Sequence, residues 1–136
     1  MISQGPVEDR LSIRELVESY NDAVMRFDGD AWKENWTDDA IWNLPGAGDI
    51  QGKENFFGAW QQAMAAFSFV GFFASAGPIQ ITGDTATGIW YQQEFLHGKD
   101  GSQRAITGRY DDEYVKRDGR WYFSKRVYSI LNASES

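Results

Sequence analysis

Two amphipathic strand patterns, Gly108 to Arg117 and Arg120 to Lys125, meet at Asp118-Gly119, and this hairpin limits the possible folds more than any other stretch. Asp-Gly readily supplies the positive φ angles of a tight type I′ turn. A loop of two residues fixes the register: Arg117 opposite Arg120, Lys116 opposite Trp121, Tyr114 opposite Phe123, Asp112 opposite Lys125 and Asp111 opposite Arg126. That register sets an aromatic pair and two opposite-charge pairs across from each other, as sheets favour. Beyond the hairpin the phase changes, because Trp121 and Phe123 share one alternation while Tyr128 and Ile130 share the other. A bulge near Ser124 to Val127 would reconcile them by bending the strand. A sheet bent in this way can wrap around helices and leave a conical cavity.

The rest of the chain supplies those helices first and the sheet afterwards. Ile13, Leu16, Val17, Tyr20, Val24 and Phe27 form one apolar stripe at helical spacing. Two N-termini compete for this helix, a Ser12/Glu15 capping box and Pro6. Gly29 is expected to end it, and Asp30 to cap a short second helix carrying Trp32 and Trp36. A short strand, Ala40 to Leu44, is broken by Pro45-Gly46-Ala47-Gly48. A third helix over 53–67 presents Phe56, Trp60, Ala63, Met64 and Phe67 on one side. From residue 69 on, turn signals at Gly83-Asp84, Lys99-Asp100-Gly101 and Asp118-Gly119 separate strands over about 69–82, 85–97, 103–116 and 120–131. Helices followed by an antiparallel meander make an α+β fold rather than alternating βαβ units.

Composition narrows the function. The 136 residues suit one domain, 1–136, and 42% hydrophobic content excludes a disordered chain. Six Trp, six Tyr and nine Phe exceed what a compact core requires, so some are expected to line a cavity. A net charge of −7 argues against nucleic acid and against anionic membrane surfaces as partners. Without cysteine there is neither a disulfide framework nor a thiolate zinc site, and one His leaves mostly carboxylates as metal ligands. The polar start of the chain and the lack of a long apolar run point to a cytoplasmic protein.

Several blocks carry a family resemblance: Phe27-Asp28, Trp36-Thr37-Asp38-Asp39-Ala40-Ile41-Trp42, Gln51-Gly52-Lys53, Gly83-Asp84-Thr85-Ala86 and the final hairpin. In this order they resemble the SnoaL-like group of the nuclear-transport-factor-2-like (cystatin-like) superfamily. Within it, the chain looks like the hexachlorocyclohexane dehydrochlorinases and, more distantly, the scytalone dehydratases. The resemblance implies an α+β cone, three N-terminal helices packed on a strongly bent, mostly antiparallel sheet. It also implies elimination from a cyclic hydrophobic substrate without a cofactor, by a His that abstracts a proton and an Asp that orients it. Asp28 matches that Asp, whereas the place of the His, counted from Gly52, falls on Phe73.

The remaining candidates have two readings each. Asp28 is either a loop carboxylate opening the next helix or a pocket base with a raised pKa. Glu94 shares a face with Trp90 and Gln92; it either solubilises an outer face or stands in the pocket, sharing acid and base roles with Asp28. His97 is a rim residue or a catalytic group at the cavity mouth. Arg126 pairs with Asp111 across the hairpin or stabilises a substrate anion. Tyr20, Tyr110 and Tyr128 are core residues or donors into the cavity, and Trp42, Phe73 and Trp90 are walls or core. The expectation is a cofactor-independent lyase (elimination, dehydration or retro-aldol type) or an isomerase for a small, hydrophobic, aromatic compound. The alternative is a non-catalytic ligand-binding domain or a small structural subunit of a ring-hydroxylating dioxygenase. Either way, aromatic and β-branched residues on the outer sheet face point to a homo-oligomer, a dimer or trimer.

Overall fold

The computed structural model describes residues 1–136. Helices α1 (Val7–Met25), α2 (Gly29–Lys33) and α3 (Lys53–Met64) pack on one sheet of strands β1 (Trp36–Leu44), β2 (Gly48–Gln51), β3 (Phe67–Thr82), β4 (Thr85–Gly98), β5 (Gln103–Arg117) and β6 (Arg120–Glu135). The sheet order is β2-β1-β6-β5-β4-β3, antiparallel throughout except for the parallel β1–β6 pair. This is the α+β cone, with a curled, mixed sheet. No helix is long and apolar enough to cross a membrane.

Local chemistry explains where the elements begin and end. Pro6 precedes α1, so the proline start prevails over the Ser12 capping box. The helix stops at Met25, earlier than Gly29, because Phe27 takes a positive φ of 55°. Phe27 N–H then bonds the Val24 carbonyl at 3.1 Å and Asp28 N–H the Ala23 carbonyl at 2.9 Å, a Schellman closure. Asp28, not Asp30, caps α2, its carboxylate accepting from the Ala31 N–H at 3.0 Å. Phe67 belongs to β3 rather than to α3, and β2 is an element the sequence pattern did not predict.

The bulge forms where the phase change requires it. Tyr114 faces Phe123 but Glu113 faces Lys125, leaving Ser124 as the additional residue. Its consequence differs from the simple hairpin register. Arg126 lies opposite Asp112, not Asp111, and both turn inward. Two glycines give tyrosines room on that inner surface. A Cβ on Gly108 would collide with the Tyr128 ring, and one on Gly88 would stand 3.0 Å from the Tyr114 ring and hydroxyl. The core joins Ile13, Val17 and Tyr20 of α1 with Trp32, Trp36, Phe56 and Phe123, all at most 1% exposed.

Candidate functional site

Every element except the two shortest reaches one hollow of about 280 Å³ between the helices and the sheet. Tyr20 and Val24 come from α1, Trp60 and Met64 from α3, and Trp42 from β1. The sheet adds Val70 and Phe72 (β3), Glu94 and Leu96 (β4), Arg104, Ile106 and Tyr110 (β5), and Tyr128 and Ile130 (β6). Its size lies at the lower end for ligand pockets and suits a single-ring compound. Two larger hollows, of about 540 and 410 Å³, are lined mostly by polar residues, all of them from strands except Met1. The apolar hollow with a few convergent polar groups is therefore the better candidate.

Glu94 is the one carboxylate among the lining residues. Strand alternation turns Gln92, Glu94 and Leu96 inward while Gln93 and Phe95 turn outward. Burial among apolar side chains pushes the Glu94 carboxyl above its ordinary value, partly opposed by the Gln92 amide and the Arg104 charge. Gln92 is fully buried and orients this group. Its Nε2 donates to Glu94 Oε2, while its Oε1 accepts from the Tyr128 hydroxyl at 2.9 Å. The Tyr128 proton is thereby committed, and Tyr20 and Tyr110 are the other phenols of the hollow. Burial raises the pKa of both, so they stay neutral hydrogen-bond donors.

Behind those phenols lies Arg126, only 1% exposed. Its Nε and Nη2 donate to Asp112 at 2.8 and 3.2 Å, and its guanidinium stacks on the Tyr110 ring at 3.7 Å and the Tyr20 ring at 4.5 Å. Asp112 also accepts from the Tyr114 hydroxyl at 2.7 Å, which itself accepts from Trp90 Nε1 at 2.9 Å. Burial raises the Asp112 pKa, but three donors on its two oxygens keep it ionised, and the pair holds Arg126 charged. Thus Arg126 and Trp90 underlie the site rather than line it. No cluster of three His, Asp or Glu side chains is arranged to bind a metal ion.

The structure does not bring the other sequence candidates to the hollow. Asp28 is occupied as the α2 cap and as an ion-pair partner of Arg26 at 3.2 Å; the positive N-terminus of a helix is its favourable place. His97 follows the outward phase of β4 and packs edge-on to Phe69 at 5.3 Å on the opposite sheet face. Phe73 is 55% exposed on that same face, and its neighbour Phe72, 5% exposed, faces inward instead. Tyr20, Trp42, Glu94, Tyr110 and Tyr128 do meet, with Gln92 directly behind. Sequence reasoning passed over Arg104 and Phe72. The alternation Arg104, Ile106, Gly108, Tyr110 was the available signal for Arg104.

Comparison with known proteins gives consistent matches. Residues 6–127 match the SnoaL-like domain family. An uncharacterized protein of Mycobacterium tuberculosis is 27% identical over 131 residues, covering 93% of this chain and 88% of the relative. A Novosphingobium aromaticivorans structure assigned as an aromatic ring hydroxylase has a TM-score of 0.90 and 28% identity, covering 98% of this chain and 96% of the other. A hexachlorocyclohexane dehydrochlorinase, LinA type 2, superposes with a TM-score of 0.87 at 20% identity, covering 96% and 90%. A second Novosphingobium aromaticivorans structure, assigned as a scytalone dehydratase, superposes at 0.88 with 14% identity, covering 96% and 89%.

Proposed function

Since this chain belongs to the SnoaL-like domain family, we propose that it is a cofactor-independent lyase, or an isomerase, for a small cyclic hydrophobic compound. The observation that carries this reading is the Glu94 carboxyl, oriented by Gln92 inside a hollow whose lining is mostly apolar and aromatic. The dehydrochlorinase and the structure assigned as a ring hydroxylase are both named for ring compounds, in line with a single-ring ligand.

In an elimination, ionised Glu94 takes a proton from carbon, the C–H electron pair forms the new double bond, and the leaving group departs with its own pair. A raised pKa moves the carboxyl toward the range where one group can both accept and return a proton. Tyr20 and Tyr110, neutral and backed by Arg126, are placed to donate hydrogen bonds to the departing group or to an enolate-like anion. In isomerisation, the same carboxyl returns the proton at a different carbon. Assembly is part of the proposal: Phe69, Phe73, Tyr91 and Phe95 on the outer sheet face would be covered by further copies in a dimer or trimer.

The test is a panel of single-ring compounds with an acidic C–H next to a leaving group, followed by NMR in D₂O for elimination or proton exchange. Turnover by the wild type and a loss of about a hundredfold or more in Glu94→Gln is the expected result. Undiminished turnover in that variant removes Glu94 from the chemistry. Binding without exchange or elimination across the panel favours the carrier alternative.

A further inference from the structure

We propose that Arg104 selects ring compounds bearing a carboxylate, which it holds at the mouth of the hollow while the ring occupies the apolar interior. This inference rests on the small-ring reading of the same site and specifies its substrate class. Arg104 is the only cation among the lining residues, and strand alternation with Ile106 and Tyr110 turns it inward. Its own partner is weak: Nε, the buried part of a side chain 41% exposed overall, stands 3.2 Å from Glu135 Oε1, on a side chain 73% exposed near the end of β6. The contact lacks hydrogen-bond geometry, so Arg104 Nε is a buried donor without an acceptor. A second lining side chain, Trp42, likewise keeps a buried indole N–H without a partner.

Buried donors are seldom left unpaired, and an unmet one is a standing demand for an acceptor. A guanidinium meets a carboxylate with two parallel N–H···O bonds, a geometry that no neutral oxygen reproduces. The Arg126 guanidinium does not serve this role: it lies outside the lining and two of its nitrogens are already on Asp112. Glu135 faces Arg104 across β5 and β6, so it acts as an intramolecular stand-in that an incoming carboxylate displaces.

The test uses the full chain and two probes of like shape, benzoate and its neutral amide benzamide, titrated with protein NMR signals as the readout. Wild type is expected to bind benzoate about tenfold more tightly than benzamide, and Arg104→Gln to lose that preference while still binding benzamide. Glu135→Gln, which frees the guanidinium without touching the hollow, is expected to tighten benzoate about twofold. Equal affinity of wild type for both probes overturns the role of Arg104 and leaves the ring-binding reading standing. So does an undiminished preference in Arg104→Gln, or weaker benzoate binding in Glu135→Gln. Binding of neither probe overturns both readings together.

Discussion

At position 94 the strand carries a carboxyl group that the fold would be more stable without. Burial raises its pKa above the ordinary 4.5, so the folded protein holds this proton more tightly than the unfolded chain does. Stability is therefore unaffected by the group below pH 4.5 and is lost as pH rises from there through the raised folded value. Glu94→Gln removes that loss and keeps an acceptor for Gln92. Melting curves are expected to show a larger gain for the variant at pH 8 than at pH 4, and a gain independent of pH would contradict the buried carboxyl. Such sites commonly trade stability for activity. At this scale the sequence was partly legible. A Glu in a strand in phase with Trp90 and Gln92 drew attention to a residue that does line the hollow. Asp28 fits two roles by type and place, and the turn at Phe27 seats it as the α2 cap, away from the hollow.

Among the elements, the hairpin and its bulge matter most for the site. The turn dipeptide and the phase change between Phe123 and Tyr128 were both readable, and together they required an inserted residue. The partner of Arg126 was not readable from the turn alone. Counting straight back from Asp118-Gly119 leads to Asp111, whereas the bulge at Ser124 moves the pairing to Asp112 and to the inner face. Close backbone approaches were hidden for a similar reason, since a strand glycine signals room without saying for whom. Gly108 makes that room for Tyr128. Gly108→Ala is expected to destabilise by about 2 kcal/mol through overpacking. Gly58→Ala, on the exposed side of α3 with open space around it, is expected to stabilise by roughly 0.5–1 kcal/mol. Urea midpoints of the two variants give the comparison; two shifts of the same sign would refute the steric account of Gly108.

For the molecule as a whole, the order of helices and strands indicated an α+β fold, and the bent strand with the family resemblance implied a cone, which is what the structure has. What one chain's pattern could not distinguish was which of two aromatic faces encloses the hollow. Phe72 and Phe73 are adjacent and chemically equal, yet one is 5% and the other 55% exposed. A shift of a single residue in register exchanges them. The outward set, with Phe73, Phe95 and Phe69 around Gly71, leaves three rings 41–55% exposed on one face and is the basis for the proposed assembly. Light scattering after size exclusion is expected to give two or three protomers, and Phe73→Asp to give one. A wild-type protein that runs as a single protomer would remove the assembly proposal.

The parallel contact between β1 and β6 joins the first strand of the sheet in chain order to one that follows about eighty residues later. Until β6 has left the ribosome, β1 and β2 have no seat in the sheet and the chamber lacks one wall. Nascent chains would then pass through a stage in which Trp36 and Trp42 await their cover, the stage at which a chaperone has most to grip. Long-range closure of this kind also places refolding at the slower end of the range for domains of this size.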